Sequence, residues 1–212
     1  MSEITVYNLK GEKKDKLSLP AKLFAAKENQ SLIVQAVRVY LTNQRQGSAR
    51  TKSRSEINCS GRKIYPQKGT GRARHGDRGA PIFVKGGRAH GPGKQNYKRK
   101  MSRKMKQAAL FSALTTKLKN KEVLVVENLE KIKPKTKEMV KVLDKLLDRS
   151  KIKKITFVLA KKEDNILRAG RNIKGVKLIF ASTLNTYQVL DNQKLIFTKD
   201  SLKVLKEIYG AE

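Results

Sequence analysis

From Arg45 to Lys106 the chain holds nineteen lysines and arginines, opposed by only two carboxylates, Glu56 and Asp77. The same stretch contains ten of the chain's 14 glycines. Between Cys59 and Ala108 the apolar residues follow neither the period of 2 of a half-buried strand nor the 3.6 of an amphipathic helix. Loops beyond about 15 residues without secondary structure are uncommon in compact domains, and this one would repel itself in water. The sequence therefore predicts a long extended basic loop that needs a polyanion to order it. A large folded RNA is the most economical polyanion.

The whole chain of 212 residues carries a formal net charge of +31, which again argues for a nucleic-acid partner. A membrane surface calls instead for an amphipathic basic helix with bulky apolar residues, and the loop has none. No run reaches the ~18 apolar residues of a membrane span. The single cysteine, Cys59, forbids an internal disulfide and fits a reducing compartment. The opening residues MSEITVYNLKGEKK hold no apolar run, so no secretory signal is expected. The expectation is a soluble, cytoplasmic protein without a membrane partner.

The flanks of the loop read as one globular domain, residues 1–44 and 107–212, with 45–106 inserted in it. Glu3–Leu9 alternates like a short strand or extended edge. A helix opens at Ser31, with Leu32, Ile33, Ala36, Val37, Val39, Tyr40 and Leu41 as its apolar stripe, and Gly47 ends it. Ser102 is expected to cap a helix whose face is Met105, Ala108, Ala109, Leu110, Ala113, Leu114 and Leu118. The basic first turn of that helix, Arg103, Lys104 and Lys106, opposes the helix dipole, so those cations are expected to face an anion. Four short apolar runs then read as strands: Glu122–Val126, Ile155–Ala160, Val176–Ala181 and Lys194–Phe197. They alternate with helices at Lys135–Leu147, Glu163–Ala169 and Lys199–Tyr209, the last turning Leu202, Leu205 and Ile208 inward. This alternation predicts an α/β fold of parallel βαβ units.

The sharpest local motif is Pro66-Gln67-Lys68-Gly69-Thr70-Gly71-Arg72-Ala73-Arg74. Glycines let the backbone approach a partner closely, and the interleaved cations reach successive phosphates or stack on bases. Gly86-Gly87-Arg88-Ala89-His90-Gly91-Pro92-Gly93 forms the return arm. Tyr65, Phe83 and Tyr97 are the loop's aromatics, equally suited to stacking on an unpaired base or to packing within the loop. A nucleotide cradle is excluded at Gly93-Lys94: a Walker A loop needs glycine and Ser/Thr where Arg88 and Gln95 stand. His75, His90 and Cys59 are too far apart for a structural zinc site. Glu163-Asp164 has no His, Ser or Cys partner nearby and reads as surface charge. No catalytic constellation, metal or cofactor is expected. The candidate RNA-binding residues are Arg45, Arg50, Lys52, Arg54, Arg62, Lys63, Lys68, Arg72, Arg74, Arg78, Lys85, Arg88, Lys94, Lys98, Arg99, Lys100, Arg103 and Lys104.

Gln67 to Arg74, preceded by Gly61-Arg62-Lys63, resembles the loop signature of the bacterial large-subunit ribosomal protein L-four family. So does the arm Gly86-Gly87, Gly91-Pro92, Tyr97-Lys98, and the similarity continues in Lys135 to Met139, Ala169 to Asn172 and Lys194 to Leu205. The resemblance implies a three-layer α/β/α domain around a four-stranded, mostly parallel sheet. It also implies a loop threaded into large-subunit rRNA, beside neighbouring large-subunit proteins. The tip, Gln67, Lys68, Gly69, Thr70, Gly71 and Arg72, would sit at the wall of the peptide exit tunnel and meet the nascent peptide. The chain departs from the family in carrying Tyr65-Pro66 and Phe83-Val84-Lys85 where Trp-Arg is usual, keeping an aromatic but losing the indole donor. The expected function is structural, an rRNA-binding constituent of the large ribosomal subunit that supports its assembly. An RNA-binding regulator and an α/β enzyme with a basic substrate loop are the other classes considered.

Overall fold

The structure is a computed structural model that describes residues 3–147 and 152–210. It divides into two compact units, Met1–Leu41 with Lys100–Glu212, and Thr42–Arg99. The first unit is a mixed α/β fold. Six strands, β1 Glu3–Tyr7, β2 Lys13–Ser18, β3 Val123–Val126, β4 Ile155–Leu159, β5 Val176–Phe180 and β6 Lys194–Thr198, form one sheet in the order β2-β1-β3-β6-β4-β5. Every neighbouring pair is parallel except the β1–β2 hairpin.

The four expected strands lie side by side within the parallel part of this sheet, which β1 also joins. The sheet count of four falls short by β1, which the alternation of Glu3–Leu9 marks as a short strand or extended edge, and by β2, which it does not. β2 reads KKDKLS, and only Leu17 is partly covered. An edge strand needs little apolar surface, so periodicity and hydrophobicity both pass over it.

Seven helices are described: α1 Ala21–Phe24, α2 Gln30–Asn43, α3 Arg103–Lys119, α4 Thr136–Leu146, α5 Asp164–Gly170, α6 Thr186–Leu190 and α7 Lys199–Tyr209. Strand side chains alternate between two core clusters, as the two-residue period of a strand requires. Leu195 and Phe197 of β6 join Val125 of β3 and Val158 of β4 in one cluster, with Leu23 and Phe24 of α1, Leu110 and Leu114 of α3, and Leu202 and Leu205 of α7. Ile196, Phe157 and Leu159 join the other, with Met139 and Leu143 of α4 and Ile166 of α5. All five residues of β4 are buried, as for a strand covered on both faces.

Ser102 caps α3 as expected, its Oγ accepting from Met105 N at 3.3 Å. At α2 the cap is two residues earlier than Ser31: Asn29 Oδ1 accepts from Leu32 N at 3.1 Å, and the helix ends at Asn43, before Gly47. Ala108 is exposed, and Ile208 is 46% exposed because Tyr209 instead turns inward to meet Phe111 edge-on at 5.3 Å.

Candidate nucleic-acid interface

In the second unit, Thr42–Arg99, glycine and scattered charge deny the backbone a long helix or sheet ladder, yet its polar groups still need partners. They find them across two arms. Asn43 clamps Arg99, its Nδ2 donating to Arg99 O at 3.1 Å and its Oδ1 accepting from Arg99 N at 2.7 Å. Gln95 N donates to Gly47 O at 3.2 Å, Thr51 N to Pro92 O at 2.9 Å and Arg88 N to Lys52 O at 3.0 Å. The Arg45 guanidinium lies 4.1 Å from the centre of the Tyr97 ring. At Gly87 the arms touch: a Cβ there would meet Arg54 N and stand 2.7 Å from both Arg54 Cα and Ser53 C. Backbone hydrogen bonds thus join the two arms of the segment expected to take its order from a polyanion.

Both carboxylates of the segment are spent within it. Arg54 forks onto Asp77 Oδ2, with Nε at 3.0 Å and Nη2 at 2.7 Å. Arg50 pairs with Glu56, which closes the short 3-10 turn Arg54–Glu56 by accepting from Ser53 N at 3.1 Å. The Ser53 amide first, and then Arg50, hold the Glu56 carboxyl below its ordinary value. The unit's fifteen cations therefore include thirteen for which the segment supplies no carboxylate. All eighteen predicted RNA-binding side chains belong to exposed residues. Fifteen lie in this unit, while Lys100, Arg103 and Lys104 lie in the α/β unit at the entry to α3.

Beyond the arms the chain narrows to a hairpin. Ile64 N donates to Gly76 O at 3.0 Å and the Tyr65 hydroxyl to Ala73 O. Tyr65 thus keeps a donor where the family's indole is missing. His75 sits edge-on between Tyr65, at 6.2 Å, and Phe83, at 5.1 Å. The loop's aromatics are therefore in contact within the loop, and His75 belongs to this packing. At the tip Gln67 to Arg72 are all exposed. Gly69 and Gly71 have φ of +88° and +63°, with no heavy atom within 4 Å of a Cβ built on either. Positive φ is what glycine alone adopts at little cost, so the tip turns by backbone conformation and not by packing. Such a unit offers exposed cations to a polyanion, and at its end a glycine turn flanked by Lys68 and Arg72.

Sequence reading missed Asn43 and gave Glu56 and Asp77 no role beyond offsetting charge. Two carboxylates among nineteen cations are a signal, because each is certain of a cation and so marks where the chain must fold back.

An enzyme would place its site at the carboxyl ends of the parallel strands. There Glu130, Glu163, Asp200 and Glu207 share a cleft with Lys161, Lys162 and Lys203. Burial first, and then the Glu130 and Asp200 carboxylates, push Glu163 up to about 7. The cleft has no glycine-rich phosphate loop, and among the described residues no three His, Cys, Asp or Glu side chains are placed to hold a metal. No described helix is long and apolar enough to cross a membrane.

The family described as ribosomal protein L4/L1 matches residues 17–208. The large ribosomal subunit protein uL4 of Thermoanaerobacter sp. (strain X514) is 40% identical over 210 residues, covering 99% of this chain and 100% of that protein. The proteins of the same name from Natranaerobius thermophilus and Symbiobacterium thermophilum are each 40% identical, over 209 and 211 residues, with the same coverage.

Proposed function

The chain belongs to the ribosomal protein L4/L1 family, and from that premise we propose that it is a structural constituent of the large ribosomal subunit that binds large-subunit rRNA. The observation that carries the proposal is the Thr42–Arg99 unit, with fifteen cations and both of its carboxylates already held by arginines. Thirteen remaining positive charges on a folded scaffold need phosphates. In this reading residues 1–44 and 107–212 form the globular anchor, and 45–106 penetrate the rRNA and help it fold during assembly. The predicted rRNA-binding residues act through phosphates and RNA shape, fifteen of them in the Thr42–Arg99 unit and Lys100, Arg103 and Lys104 in the α/β unit. The tip from Gln67 to Arg72 lines the nascent-peptide exit tunnel, where the slender Gly69-Thr70-Gly71 turn between Lys68 and Arg72 leaves room for a passing peptide. The two core clusters, which divide alternate strand residues between them, support a three-layer α/β/α arrangement of the anchor.

The test is co-sedimentation with large subunits, followed by a salt titration of binding to an rRNA fragment. If eight phosphates are neutralised, log K against log[salt] falls with a slope of about −6, taking the single-strand coefficient as a guide. A chain that stays in the soluble fraction, or a slope near −1, overturns the proposal.

A further inference from the structure

α2 has more apolar surface than its packing uses. Eight of its 14 residues are apolar, yet none is buried. It is held to the α/β unit by Ile33, which packs on the core cluster, and by Tyr40, stacked on Tyr187 at 4.7 Å. These two lie seven residues apart on one side of the helix. Val34 and Leu41, also seven apart, form a second ridge about 100° further round, and they remain 56% and 45% exposed. Two of the six large apolar side chains exposed among the described residues thus share one helix ridge.

The chemistry of this ridge decides what can cover it. RNA is held through cations, hydrogen bonds and aromatic stacking. Val34 and Leu41 offer none of these, and α2 carries one cation, Arg38, in a chain where 49 of 212 residues are Lys or Arg. A second copy is opposed by a like charge of +31 on each chain. We propose that the Val34–Leu41 ridge of α2 is a docking surface for a different protein that presents an aliphatic surface, within the particle assigned above. The inference rests on the ribosomal reading for the particle and goes beyond it in dividing the surface: cations for RNA, the α2 ridge for protein.

A photoreactive benzoylphenylalanine at Val34, in the full chain assembled into large subunits in its host, tests this. Irradiation of purified subunits should give a covalent adduct with another subunit protein, while the same group at Lys63 should give an RNA adduct. A Val34 adduct with RNA, or with a second copy, overturns the inference, as does no adduct where the Lys63 control reacts. Absence of both proteins from the large subunit overturns the proposed function itself, and this inference with it. In parallel, Val34→Glu with Leu41→Glu should leave thermal unfolding and rRNA-fragment affinity unchanged. Its incorporation in competition with wild type should fall about tenfold, the scale expected for two aliphatic side chains losing their cover. Lost rRNA affinity in a folded double variant would put the ridge on RNA and refute the assignment.

Discussion

Gly87→Ala tests whether the basic unit folds by itself. The added methyl would meet Arg54 N and come within 2.7 Å of Arg54 Cα and Ser53 C, all of them backbone, so no side chain can swing aside and the arms must part. Parting them breaks the Gly87 N to Gly79 O bond at 2.9 Å and the Arg88 N to Lys52 O bond at 3.0 Å, each worth about 1 kcal/mol net. The neighbouring Arg54–Asp77 pair is solvent-screened, with Arg54 57% exposed, and adds little. The two bonds together, about 2 kcal/mol, lower amide-exchange protection at Arg88 by more than one order of magnitude, at roughly 1.4 kcal/mol per decade. Hydrogen exchange on the free protein reads this residue by residue. Gly61→Ala is the control: no heavy atom lies within 4 Å of a Cβ there, and protection should not fall. If Arg88 exchanges alike in wild type and Gly87→Ala, the arms are not joined in the free protein. The order described here would then belong only to the RNA-bound state.

Other perturbations probe separate parts of the molecule. Lys68→Glu, at the open tip, removes one of many cations, so subunit incorporation should stay near normal while susceptibility to tunnel-binding antibiotics or stalling on arrest peptides changes; drug-inhibition curves indistinguishable from those of the surface variant Lys145→Glu would remove the tip from the tunnel. Glu163 has a folded-state value of about 7, above the ordinary 4.5, so the folded state binds the proton more tightly and stability is lost as pH rises from about 4.5 to about 7. Glu163→Gln should therefore stabilise the protein at pH 8, by on the order of 0.5–1 kcal/mol after solvent screening, and barely at pH 4; equal unfolding midpoints for the two proteins at pH 8 would contradict this. The buried ammonium of Lys117 bonds Glu122 Oε2 and Asn192 O, each at 2.6 Å; Lys117→Met leaves that carbonyl unmatched and should cost about 1–3 kcal/mol, visible as a Tm lowered by several degrees, whereas an unchanged Tm would mean that water replaces the ammonium freely.

The parallel strands were legible because burial on both faces writes continuous apolar runs such as ITFVL into β4, and α7 because its periodicity is bounded by a capping threonine and a closing glycine, Thr198 and Gly210. β1 showed as a short strand or extended edge at Glu3–Leu9, whereas β2, α1 and α6 were not legible. α1 and α6 are four and five residues long, too short to show a period, and Leu23 and Phe24 are fixed by contacts with residues far along the chain. The candidate interface was legible as composition and not as geometry. Charge count locates the segment, but which arm residue meets which is set by single hydrogen bonds, such as Thr51 N to Pro92 O, whose partners lie 41 residues apart. Tyr65 shows the same limit. Its side-chain type told of an aromatic, and only the fold tells that its hydroxyl closes the hairpin on Ala73.

The sheet is open, so it ends in two edges, β2 and β5. An unpaired edge is a template on which a second chain can add a strand. Here β2 presents Lys13, Lys14 and Lys16 along its length, and β5 carries Lys177, salt-bridged to Asp191 at 2.5 Å. Stripping charge from a strand that must approach another within about 5 Å is unfavourable, so both borders resist polymerisation. A chain that has been synthesised but has not yet met its RNA is in this way kept from aggregating through the sheet that anchors it.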